Sequence, residues 1–129
     1  MRLLLDTHTL VWAMTATRLL PAPLRRTIED AHNDVHFSAI SIFEIASKRA
    51  SGRRSAPTTA SDAIVELAAR SGLREIAVTS RHAKAVETIA AFHADPFDRL
   101  LLAQAQVEGL QLVTHDEALA AYDPRTILF

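Results

Sequence analysis

The chain reads as short apolar runs separated by longer stretches of helical period. The first run, Leu3-Leu4-Leu5, stops abruptly at Asp6, and Thr7-His8-Thr9 then leads into Leu10-Val11-Trp12-Ala13-Met14. A short apolar run between polar residues fits a strand buried on both faces. An acid and hydroxyls ahead of an apolar-periodic stretch fit a helix start. The chain is therefore expected to open strand–helix, with Asp6 at the carboxyl end of a central parallel strand. Further strands are expected over 35–39, 75–79 and 110–114, with an edge strand over 126–129.

Helical stretches fill the intervals. Leu20-Pro21-Ala22-Pro23 is a break, and either proline suits the first turn of a helix carrying Leu24, Ile28 and Ala31. Ser41 and Glu44 have capping-box spacing at the head of a helix that Gly52 would stop. Helices are also expected over 61–71 and 80–92, and a short one over 115–122. The strongest start is Asp95-Pro96-Phe97-Asp98, with Asp95 at the N-cap, Pro96 at the first helical position and Asp98 at the third; Gly109 ends that helix. Strands alternating with helices imply right-handed crossovers and an α/β fold, a mostly parallel sheet with helices on both faces. Strand-to-helix junctions then share one edge, where such sheets bind ligands. Asp6, Glu44 and Asp116 fall at or just after such junctions, whereas the strand ahead of Asp98 is less obvious.

Composition narrows the class. The 129 residues suit one domain spanning 1–129, and 49% hydrophobic with 22% charged residues is a globular balance. No apolar run approaches the roughly 20 residues of a membrane span, and Asp6 interrupts the first run where a secretory leader needs its apolar stretch. There is no cysteine, hence no disulfide, thiolate metal site or cysteine nucleophile, which fits a cytoplasmic protein. Fourteen basic against fifteen acidic residues leave no overall field for nucleic acid, so such a role would rest on a local patch.

Taken singly, each acid has a capping explanation. Asp6 could cap the first helix, Glu44 could pair with Ser41, Asp98 could favour its helix N-terminus through the dipole, and Asp116 lies in a first turn beside Thr114 with Glu117 as box partner. Together they mean more. Carboxylates gathered in one crevice repel one another unless a cation neutralises them, and hard oxygen donors suit Mg2+ or Mn2+. Such ions promote phosphodiester hydrolysis by activating water and stabilising the leaving oxygen.

Four segments resemble PIN-domain nucleases, in that family's order: Leu3-Leu4-Leu5-Asp6-Thr7-His8, the stretch from Ser38 through Glu44-Ile45, His93-Ala94-Asp95-Pro96-Phe97-Asp98-Arg99, and Leu112-Val113-Thr114-His115-Asp116. The likeness is closest to VapC-type toxins of toxin–antitoxin pairs and covers essentially the whole chain. It implies a three-layer α/β/α sandwich around a mostly parallel sheet of about five strands. It also implies metal-dependent cleavage of RNA, an antitoxin that occludes the site, and a homodimer. Carried over by position, Asp6, Glu44 and Asp98 match the three core acids, Asp116 the more variable fourth, and Thr114 the hydroxyl beside it. Asp6 and Asp98 would ligate the main Mg2+ or Mn2+, directly or through water. Glu44 and Asp116 would help hold a second ion or orient the attacking water.

Other residues have two readings each. Arg99 is expected to pair with Asp98 or to contact the scissile phosphate, and Thr7 to stand near substrate or behind the acids. Lys48, Arg49, Arg53 and Arg54 form the one basic cluster, either a solvated helix end or a set of RNA phosphate contacts. His93 and His115 flank the acids, and Trp12 reads as core or protein-interaction face in preference to a base-stacking platform. Three alternatives stand beside the nuclease. A haloacid-dehalogenase-like phosphatase expects an acid where His8 stands, and a receiver-like module expects acids where Thr7 and Thr79 stand. The third is a PIN domain that processes RNA outside toxin–antitoxin systems or only binds RNA or a partner.

Overall fold

The computed structural model describes residues 1–89 and 95–129. Strand β1 (Arg2–Leu5) leads into α1 (Thr7–Thr15), and a 3-10 turn at Thr17–Leu19 leads to α2 (Ala22–Glu29). Then follow β2 (Asp34–Ser38), α3 (Ala39–Ala50), α4 (Ser61–Arg70), β3 (Arg74–Ile76) and α5 (Ser80–Ala85), with a second 3-10 turn at Val86–Thr88. The chain continues through α6 (Pro96–Glu108), β4 (Gln111–Thr114), α7 (Glu117–Ala120) and β5 (Ile127–Leu128). The five strands form one sheet in the order β3-β2-β1-β4-β5, and every pairing is parallel. This is the expected α/β sandwich.

The three leucines of β1 show how the sheet fills both layers. Successive strand side chains point to opposite faces. Leu3 and Leu5 join Phe37 and Val113 under Leu10, Leu24, Ile45 and Ile64 of helices α1 to α4. Leu4 joins Leu112 on the other face, under Leu101 and Leu102 of α6 and Leu119 of α7. All three β1 leucines are fully buried, each worth about 1.5–3 kcal/mol relative to an exposed side chain.

Several element ends differ from expectation. Helix α3 begins at Ala39, with Ser38 as its N-cap accepting from the Ile40 N–H (3.1 Å). The Ser41–Glu44 capping box therefore does not form, because β2 runs directly into the helix and the hydroxyl at the junction is Ser38. Asp116 caps α7 itself, accepting from the Ala118 N–H (2.9 Å), so it is not a first-turn residue behind Thr114. The helix expected over 80–92 tightens to a 3-10 turn at Val86, and its expected end, together with His93, lies outside the described residues. Helix α6 has Asp95, Pro96 and Asp98 at the expected positions and closes on Gly109 at φ 66°, a left-handed turn that favours glycine.

Candidate functional site

The chain passes from β1 to β2 and β3 on one side, then crosses to β4 and β5 on the other, so the strand order switches between β1 and β4. The carboxyl ends of those two strands flank the crevice in which open α/β sheets bind ligands. Asp6 follows β1 directly, and its N–H donates to the Val113 carbonyl of β4 (3.0 Å). Its Oδ1 accepts from the Thr9 N–H (2.8 Å), capping α1, while its Oδ2 accepts from the hydroxyl of Thr114, the last residue of β4. Thr114 Oγ1 in turn accepts from the Asp116 N–H (3.0 Å). One hydroxyl thus ties the ends of β1 and β4 and the start of α7 into a unit.

Glu44 arrives from the middle of α3 and is only 7% exposed. A buried carboxylate is costly unless its lone pairs are met. Here Oε1 accepts from the Thr7 hydroxyl (2.8 Å), which also lies 3.0 Å from Ser41 Oγ, and Oε2 accepts from Lys48 Nζ (2.7 Å) one helical turn on. Asp95 and Asp98 come from the start of α6. Asp95 Oδ1 accepts from the N–H groups of Phe97 (2.9 Å) and Asp98 (3.4 Å). Asp6, Glu44, Asp95, Asp98 and Asp116 line a single cleft, enclosing about 490 Å³ of open space, together with Thr7, His8 and Lys48.

All four expected acids therefore meet, from the ends of β1 and β4 and from α3 and α6, and Asp95 joins them. Thr7 and Thr114 stand behind Glu44 and Asp6 as hydrogen-bond donors. Arg99 does not line the cleft; its guanidinium donates to the Val86 carbonyl (3.3 Å), which ties α6 to the turn before it. His115 bonds the Phe129 carbonyl (2.6 Å) beside the cleft. Lys48 is the residue that sequence reasoning placed least well, since only its spacing of four from Glu44 foretold an intrahelical pair.

Apart from the His8 imidazole, the donors that line the cleft among the described residues are hard oxygens, and their five carboxylates outnumber the one ammonium. That excess of negative charge suits a divalent cation. Among the described residues no three acids or histidines stand close enough to form a ready-made coordination shell. The arrangement suits an ion held by one or two carboxylates that keeps several waters, which is the habit of Mg2+.

Parallel order, switch-point crevice and converging acids define the class as an α/β protein with an acidic site at the sheet edge. The PIN domain family model matches residues 3–124, and the chain belongs to that family. No curated protein matches the chain by sequence. Its fold is similar to a chain of VapBC2 from Rickettsia felis, solved with a promoter DNA fragment, at TM-score 0.70 and 17% identity, covering 100% of this chain and 98% of that one. A chain of DNA-bound VapBC from Salmonella typhimurium gives TM-score 0.69 and 20% identity over 100% and 97%. FitAcB from Neisseria gonorrhoeae gives 0.57 and 19% over 98% and 96%. Among the described residues no helix is long and apolar enough to cross a membrane.

Proposed function

We propose that the chain, as one domain over 1–129, is a cytoplasmic metal-dependent endoribonuclease and the toxin of a toxin–antitoxin pair. The observation that carries this reading is the meeting of Asp6, Glu44, Asp98 and Asp116 in one cleft at the switch point of a PIN fold. Similarity to chains from VapBC complexes supports an antitoxin as partner; an antitoxin that covers the cleft and a homodimer as the assembled form follow from the resemblance to VapC-type toxins.

Asp6 and Asp98 would hold Mg2+ or Mn2+, directly or through water, and Glu44 and Asp116 would help hold a second ion or orient the attacking water. When bound, the metal lowers the pKa of water and offsets charge on the leaving oxygen. The chain's own residues set the geometry for this. The Thr114 hydroxyl and the Thr9 N–H fix both oxygens of Asp6. Thr7 and Lys48 hold Glu44 at the cleft wall.

The test is cleavage of single-stranded RNA by the purified chain with Mg2+ or Mn2+, with and without EDTA, beside Asp98→Asn. The expected result is EDTA-sensitive cleavage that falls at least about a hundredfold in the variant, since loss of metal charge stabilisation is worth several kcal/mol. Cleavage indifferent to both would sink the reading. The Glu44–Lys48 ion pair, which already neutralises one of the acids, favours the alternative, a PIN domain that binds RNA or a partner without cutting. That alternative requires no cleavage under any of these conditions.

A further inference from the structure

Next to the acidic cleft lies a second groove that the proposed chemistry does not use. Its walls are Val11, Trp12, Ile45 and Pro57. It shares Thr7, His8, Glu44 and Lys48 with the acidic cleft, so the two adjoin. The His8 imidazole stacks on the Trp12 indole, with centroids 5.8 Å and planes 25° apart. The indole is braced edge-on by His115 (5.5 Å) and Phe129 (6.1 Å). Trp12 packs against the core, as the sequence led one to expect, yet it is only half-buried and its remaining surface lines this groove.

We infer that the groove is a nucleobase subsite. An unpaired base of the strand whose phosphate occupies the acidic cleft enters it and packs against the His8–Trp12 wall. The inference rests on the ribonuclease reading and extends it to the form of the substrate. Three observations carry it. The groove adjoins the acidic cleft along four shared residues, which puts a base and the phosphate of the same nucleotide chain within reach of both. Its wall is aromatic and preassembled, which suits any base because every base has a π-face. Lys48 borders both cavities and places an ammonium where they adjoin, beside the Glu44 carboxylate. A base held in a duplex cannot enter such a groove, so the substrate is single-stranded or looped at the cleavage point.

Trp12 is the only tryptophan, so intrinsic fluorescence reports on this wall alone. In Mg2+ buffer, the wild-type chain and Asp98→Asn, in which the strand survives, are titrated with hexauridylate, hexaadenylate and an abasic ribose-phosphate hexamer. The base-bearing strands should quench Trp12 saturably, and the abasic strand of equal charge should not. His8→Ala changes an exposed side chain and should weaken the base-bearing titrations roughly tenfold, as expected for loss of a stacking partner. Trp12→Phe removes the fluorophore and should abolish the quenching, which assigns the signal to this wall. Equal responses to all three strands, or none, would overturn the subsite. RNA cleavage without base-dependent quenching removes the subsite and leaves the ribonuclease standing. Base-dependent quenching in a chain that cuts no RNA supports the groove and removes the ribonuclease.

Discussion

Thr114 shows how much one side chain holds in place. It is fully buried, donates to Asp6 Oδ2 and accepts from the Asp116 N–H, so it joins two of the proposed catalytic acids through one hydroxyl. Thr114→Val keeps the shape and removes both bonds, leaving a buried carboxylate oxygen and an N–H short of a partner. The expected loss is about 1–3 kcal/mol in urea unfolding. An unchanged midpoint would mean that water replaces the hydroxyl. Asp6 caps its helix, as its modest structural explanation held, whereas Asp116 caps α7 itself instead of sitting in a first turn opened by Thr114. Capping does not compete with a role in the cleft, because a carboxylate has lone pairs enough for a backbone N–H and a further partner. Glu44 differs: its expected capping bond is absent, and its oxygens go to Thr7 and Lys48, residues of the cleft itself.

Helix α6 is the element most fully legible from the chain, because its start and stop use local chemistry. Asp95 caps it, Pro96 begins it and Gly109 closes it. Asp95 also lines the cleft, and two substitutions separate its roles. Asp95→Ala should cost about 0.5–2 kcal/mol in chemical denaturation through the lost cap, whereas Asp95→Asn, also a good cap, should leave stability near wild type. Loss of cleavage in Asp95→Asn at full stability would add this carboxylate's charge to the catalytic set. Helix α5 was less legible. Its apolar spacing continues past Ala85, but the backbone tightens at Val86, where the carbonyl receives Arg99 from α6. That partner lies thirteen positions away, and no local pattern announces it.

At the level of the fold, part of the stability lost on acidification comes from an ion pair outside the cleft lining. Arg125 donates to both oxygens of Asp123 (3.1 Å and 2.8 Å) in the turn before β5, and its hydrogen bonds hold that carboxyl below the ordinary aspartate range. A depressed pKa adds stability above the unfolded value, about 3.9, and that stability is lost as pH falls through the folded one. Arg125→Ala should therefore begin acid unfolding at higher pH, followed by circular dichroism between neutral and strongly acid conditions. At neutral pH it should cost no more than about 1 kcal/mol, because the pair is partly exposed. An acid limb identical to wild type would show that the pair has no part in the folding equilibrium.

Near neutrality of net charge hid both charged features of the molecule, since five acids gather in one cleft while Lys48 stands among them. The existence and type of the elements, the family and the four acids were readable from apolar runs, helix-start residues and motif order, because those signals act within a few residues of one another. Hidden from such reading were the strand order that brings β1 beside β4, the fifth acid in the cleft, the Thr7–Glu44 hydrogen bond, and the groove beside His8 and Trp12. Each depends on side chains tens of residues apart meeting once the sheet has paired and both its faces are covered. Which residues share a cavity is a consequence of that packing, and no periodicity along the chain encodes it.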